Sequence, residues 1–195
     1  MQNPKFNFMG LDHVALSSSN MARTVAFYNG KLGMPILHSI EYLDADGSPT
    51  GQHYFFGVGS GEAHIAFFYW KKGYQNIPEA KPNSDETKKA ADLHPLARPI
   101  GDLDHINLRV EAAHIARYCE LLTAEGIAFT HTWRREDPER PGVLLGVTTE
   151  NGFSEPAEDA LMSSVYFVDP DGINLEFNAW FPRWANWRYK HVPWG

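Results

Sequence analysis

The hexapeptide Leu11-Asp12-His13-Val14-Ala15-Leu16 returns 92 residues later, changed at two positions, as Leu103-Asp104-His105-Ile106-Asn107-Leu108 in a chain of 195 residues. A self-similar period near half the chain length means one supersecondary unit used twice. Each copy alternates as a strand does: Leu11, His13 and Ala15 share one face, and Asp12, Val14 and Leu16 the other. Each is followed by helical spacing. Met21, Val25, Tyr28 and Leu32 recur behind an Asn20 or Ser19 N-cap, and Ile115, Tyr118, Cys119 and Leu122 do so in the second half. Both helices are expected to run out at glycine, near Gly30 or Gly33 and at Gly126.

Three strands are predicted after each helix. In the first half they are 36–43, 52–58 and 62–70, punctuated by Asp46-Gly47 and by Gly59-Ser60-Gly61. In the second they are 127–134, 161–168 and 173–180, with a strong turn at Asp169-Pro170-Asp171-Gly172. The fold class is therefore α+β, with a βαβββ order in each half. One domain over 1–195 is expected: a first module at about 8–72, a connector at 73–101, a second module at about 102–180, and an aromatic tail at 181–195. The proline-bearing stretch from Glu136 to Ala160 is an insertion in the second module, where 143–149 reads as an extra strand. Loops this long in a compact domain are usually functional or mobile.

Composition narrows the class of function. The net charge of −7 and the lack of a basic run argue against a nucleic-acid partner. No apolar run is long enough to cross a bilayer, and residues 1–10 hold no signal core, so a cytoplasmic protein away from membranes is expected. The single cysteine, Cys119, falls on the apolar side of a helix and reads as a buried structural thiol. Four of six tryptophans lie in the last sixteen residues, interleaved with Arg183, Arg188 and Lys190. This tail is expected to lid a pocket or to pack on a second subunit of a homo-oligomer, such as a dimer.

Two histidines at equivalent places in a repeat are a better signal than either alone. Under a pseudo-twofold relation, His13 and His105 would converge on one site. Glu176, in Ile173-Asn174-Leu175-Glu176-Phe177-Asn178, is a carboxylate in an otherwise apolar and aromatic strand, which is costly unless it is paired or coordinated. A solvent-facing strand is the plainer alternative. His38, His94, His114, His131 and His191 have no pattern behind them and read as surface or internally satisfied residues.

These segments, with Phe27-Tyr28, Leu32-Gly33-Met34 and Val165-Tyr166-Phe167-Val168-Asp169-Pro170-Asp171-Gly172, resemble the vicinal oxygen chelate superfamily. That superfamily includes glyoxalases, bleomycin and fosfomycin resistance proteins, and extradiol dioxygenases. The resemblance spans most of the chain and implies two βαβββ modules forming a cupped, eight-stranded mixed sheet around a metal. It implies His13, His105 and Glu176 as ligands. The fourth ligand position aligns with Ala66, which cannot bind metal; His64 lies two residues earlier on the same face.

Two histidines and one carboxylate make the facial triad of non-haem Fe(II) enzymes. The chain is most like one-domain extradiol dioxygenases, which implies Fe(II), or Mn(II) or another divalent metal, with a small catechol-type aromatic and dioxygen as substrates. It further implies His64 as catalytic acid–base, with a displaced ligand or a structural residue as its alternatives, and Tyr166 as hydrogen-bond partner of a substrate oxygen. His53 is a weaker acid–base candidate. The extradiol signature usually has a histidine shortly before this tyrosine; here the stretch is Ala157-Glu158-Asp159. Phe55, Phe67, Tyr69 and Trp133 read as core, some of them as pocket wall. Two other functions fit the same fold: a glyoxalase- or epimerase-like lyase or isomerase acting without oxygen, and a metal-free binding or resistance protein.

Overall fold

The structure, a computed structural model, describes residues 11–59, 63–72, 103–140 and 143–182. The expected connector at 73–101, the tail from Arg183 onward, and His94 and His191 lie outside the described residues. The chain divides into two compact units, residues 1–82 and 83–195.

The first unit runs β1 (His13–Ser17), α1 (Met21–Val25), β2 (Ile36–Leu43), β3 (Pro49–Gly57) and β4 (His64–Trp70), with its sheet in the order β1-β4-β3-β2. Asn20 caps α1, its side-chain oxygen accepting from the Arg23 N–H at 3.1 Å. The helix continues as a π-helical stretch over Ala26–Lys31 and ends near Gly33, whose φ of +69° is the left-handed conformation that glycine adopts without strain. Tyr28, fully buried, lies against Phe56 and Phe67 with ring centroids 5.5 and 4.7 Å away. This is the aromatic core of the unit, on the helix-covered face of its sheet. Burying three rings at about 150–250 Å² each yields roughly 10–20 kcal/mol of gross apolar stabilisation.

The second unit runs β5 (Ile106–Arg109), a 3₁₀ turn leading into α2 (Ile115–Ala124), β6 (Phe129–Glu136), β7 (Leu144–Glu150), β8 (Met162–Val168) and β9 (Asn174–Trp180). Its sheet has the order β5-β9-β8-β6-β7. α2 buries Ile115, Cys119 and Leu122, the face its periodicity assigns. Burial pushes the Cys119 thiol up to about 11, so it is an inert core residue. Asp169 closes the turn before β9, its Oδ1 accepting from the N–H groups of Asp171 and Ile173.

The βαβββ order expected of each half is therefore present in each unit. The strand count differs: among the described residues there are two sheets of four and five strands, where eight strands in one sheet were expected. The ninth is β7, the strand read within the Glu136–Ala160 insertion. It pairs antiparallel with β6 from Thr130–Glu150 to Glu136–Leu144 and extends the edge of the sheet. Among the described residues, no helix is long and apolar enough to cross a membrane.

Candidate metal site

In the first unit β1 and β4 run parallel, with His13 beside His64 and Ala15 beside Ala66. The pleat then places His13, Ala15, His64, Ala66 and Phe68 on the face turned away from α1, and Ile65 and Phe67 on the helix-covered face. β3 adds His53 and Phe55 to the first face, and β2 adds His38. Four imidazoles surround the Phe55 ring, with centroids 4.2 Å (His53), 5.6 Å (His38), 5.7 Å (His13) and 6.1 Å (His64) away. His53 also stacks on Phe68 at 3.6 Å. It is buried, and desolvation, with the neighbouring His13 and His38, holds its basicity below the usual histidine value. His64 Nδ1 is buried and has no hydrogen-bond partner among the described residues.

In the second unit one row of side chains crosses the sheet. Asn107 on β5 pairs with Glu176 on β9, Glu176 with Tyr166 on β8, and Tyr166 with Thr130 on β6. The carboxylate of Glu176 is almost wholly buried, with its side chain 4% exposed. Asn107 Nδ2 donates to its Oε2 at 2.6 Å, and Asn178 Nδ2 to its Oε1 at 3.2 Å. Two neutral amides orient the carboxylate without neutralising it, so its charge remains available to a cation. The solvent-facing reading of Glu176 is excluded by its burial.

His105 Nε2 stands 3.0 Å from Glu176 Oε2, and the imidazole is 35% exposed. Two ligand atoms bound at about 2.1 Å and at right angles to one cation stand roughly 3 Å apart, which is the separation seen here. The donor set of one imidazole nitrogen and one oriented carboxylate fits a divalent transition metal. The Tyr166 ring lies edge-on to His105 at 6.5 Å.

Each repeated histidine also has a carboxylate behind it. His105 Nδ1 bonds Asp104 Oδ2 at 2.7 Å, and His13 Nδ1 bonds Asp12 Oδ1. The hydrogen bond from His13 holds the Asp12 carboxyl below its ordinary range, and the nearby charges of His13 and His64 add to the effect. A carboxylate on Nδ1 fixes the tautomer that leaves the Nε2 lone pair for a metal. Strand alternation alone had placed both aspartates on the opposite face. They lie just before their strands begin, where the pleat does not yet apply, and fold back on the next residue. The signal was in the repeat itself, which conserves Asp-His as a dipeptide between the two copies.

The expected ligands are thus distributed as His13 in the first unit and His105 with Glu176 in the second. The structure brings His105, Glu176 and Tyr166 together, and separately His13 with His64. Among the described residues, no three His, Cys, Asp or Glu side chains are gathered at metal-binding separations. His131, which the sequence left without pattern, is fully buried, bonds Ser163 Oγ through Nε2 at 2.8 Å, and is pushed down to about 4 by desolvation. It is a satisfied core residue. His114 is a surface residue near Glu111. The residue that sequence reasoning missed is Arg134, whose Nη1 donates to the Tyr166 hydroxyl at 3.3 Å.

The profile of the Glyoxalase/Bleomycin resistance protein/Dioxygenase superfamily matches residues 10–177, and the chain belongs to this superfamily. No curated protein matches it. Among solved structures it is similar to a glyoxylase/bleomycin resistance protein/dioxygenase domain from Frankia sp. EAN1pec, at 20% identity and a TM-score of 0.51, covering 90% of this chain and 100% of that one. It is similar to a glyoxalase family protein from Enterococcus faecalis (21%, TM-score 0.50, covering 88% and 98%). It is also similar to the fosfomycin resistance protein FosX from Listeria monocytogenes, solved with Mn(II) and sulfate (17%, TM-score 0.50, covering 94% and 99%). At these identities the likeness establishes the fold and leaves the reaction open.

Proposed function

We propose that the chain is a metal-dependent extradiol dioxygenase, opening a catechol-type aromatic with dioxygen beside its two hydroxyls. In this reading His13, His105 and Glu176 hold Fe(II), with Mn(II) as the alternative metal. The observation that carries it is Ala66. The β1–β4 register sets this methyl group beside Ala15, one pleat from His13 and His64, at the position where a fourth ligand would stand. Three protein ligands leave coordination positions for two incoming molecules, as oxygen chemistry on a diol requires. A fourth carboxylate at that place would have favoured a lyase or isomerase.

When bound, the metal supplies a centre at which a diol and dioxygen meet and through which electron density passes between them. The remaining tasks fall to the chain. Glu176, oriented by Asn107 and Asn178, and His105, backed by Asp104, form a preset half of the centre. His64, with its unpartnered Nδ1, takes the proton of the second substrate hydroxyl and returns it to the product. Tyr166 accepts from Arg134 and so has its own proton free for a substrate oxygen. Phe55, among the imidazoles, offers an apolar wall to an aromatic ring.

The test is anaerobic loading of the full-length protein with Fe(II), followed by a panel of catechols in air. Oxygen uptake matched by a yellow ring-fission product is expected. A metal-loaded protein inert to the whole panel, or one turning over substrate without oxygen, would contradict the proposal.

A further inference from the structure

Arg134 is a half-buried cation in the second unit without a charged partner among the described residues. Arg117 pairs with Glu120, Arg135 with Asp159, and Arg140 with Asp137. Arg134 instead reaches the Tyr166 hydroxyl at 3.3 Å, and its guanidinium carbon lies 5.9 Å from the centre of that ring. Its neighbours in register are Met162 on β8 and Gly146 on β7, neither of which carries a charge.

A guanidinium is a permanent cation with five N–H donors arranged to meet a planar oxyanion in bidentate fashion. One tyrosine hydroxyl satisfies one of those donors and none of the charge. The hydrogen-bonded side chains nearest Arg134 on the same face are neutral, Thr132 with Thr148 and Asn178 with Ser164, and the carboxylates on that face are those of Glu136, Glu150 and Glu176. A partly desolvated cation whose one hydrogen bond among the described residues goes to a neutral hydroxyl is costly unless something anionic arrives. The same tyrosine links it to the candidate metal site, since Tyr166 is also 6.5 Å from His105 and pairs with Glu176. Arg134 and His105 therefore both approach the Tyr166 ring, at 5.9 and 6.5 Å, which suits a ligand that offers an anion to the one and a diol to the other.

We propose that Arg134 is a specificity-determining residue that binds a carboxylate on the substrate, making the preferred substrate an acidic aromatic diol and not a neutral catechol. The diol half of this statement rests on the dioxygenase reading; the carboxylate half rests on Arg134 alone.

The experiment measures binding, by calorimetry under argon, to full-length protein loaded with Mn(II). The probes are 3,4-dihydroxybenzoate, 4-methylcatechol and benzoate. For the unaltered protein, 3,4-dihydroxybenzoate is expected to bind at least about tenfold more tightly than 4-methylcatechol, the worth of one charge-assisted bidentate contact. In Arg134→Gln that ratio collapses to within about twofold, chiefly through lost affinity for 3,4-dihydroxybenzoate; Arg134→Lys keeps part of the preference. A merely structural arginine would weaken both catechols alike, and that result overturns the inference. So does equal binding of the two catechols by the unaltered protein, or failure of both carboxylates to bind. Benzoate held in an Arg134-dependent way, with neither catechol bound, would sink the dioxygenase reading and leave the carboxylate site standing. Ring cleavage without charge preference would do the reverse.

Discussion

The two sheets share a plan and differ in what their histidine-bearing faces present. The first offers imidazoles and aromatic rings, with His13, His38, His53 and His64 about Phe55, while the strand carboxylate Glu41 lies on the other face. The second offers a buried carboxylate, two amides, hydroxyls and a cation in Glu176, Asn107, Asn178, Ser164, Thr132 and Arg134. Only the Asp-His pair is common to both. The two modules share the Asp-His dipeptide and differ in the other side chains that these faces carry. One sheet kept a carboxylate on its last strand, and the other has Ala66 in the corresponding place.

The largest expected effect comes from removing the element that only the second sheet has. Glu176→Ala deletes the buried carboxylate and strands the amides of Asn107 and Asn178; metal affinity should fall by well over about 100-fold, as read by elemental analysis after dialysis, with turnover lost. Making the sheets alike is the complementary change. Ala66→Glu introduces a carboxylate at a fully buried site. It should destabilise the metal-free protein by several kcal/mol in thermal unfolding. With metal bound, stability should return while oxygen-dependent turnover disappears. An active, oxygen-consuming Ala66→Glu protein would break the comparison.

A third effect tests the helix-covered face of the second sheet, where His131 is buried neutral. Its folded value of about 4 lies below the unfolded value near 6.5, so between those limits the unfolded chain binds a proton that the folded chain refuses. Stability is complete above about pH 6.5 and should fall by roughly 3 kcal/mol as pH drops to about 4. Urea unfolding across that window should show the slope, and His131→Gln should flatten it. The smallest effect concerns what the sheets share. Asp104→Asn and Asp12→Asn should each weaken metal binding by about 10- to 100-fold while leaving the fold intact, as measured by competition with a chelating dye. Loss in one variant alone would show that the repeated pair serves different ends in its two copies.

Much of this was legible because local chemistry and global fold agree. The limits of β2 are those read from its sequence, since alternating apolar residues run from a helix-ending glycine to the Asp-Gly turn. Asn20 acts as the cap its residue type suggests. His105 and Glu176 were found because a carboxylate in an apolar strand and a repeated histidine are each anomalous, and they meet. What escaped depends on neighbours distant in sequence. Arg134 sits where a strand was expected to end, and nothing around it names Tyr166, 32 residues away, as its partner. The role of Asp12 and Asp104 escaped because alternation was applied ahead of the strands, which begin at His13 and Ile106. The π-helical widening after Val25 has no signature in the residues read there.

The central proposal is that one metal ion takes ligands from both copies of the repeat. Titration of the metal-free, full-length protein with Mn(II), read by calorimetry, tests it directly. One ion per chain is predicted, with tight binding abolished separately by His13→Ala, His105→Ala and Glu176→Ala. Undiminished one-to-one binding by the His13→Ala protein would contradict the claim and leave the metal to the second unit alone.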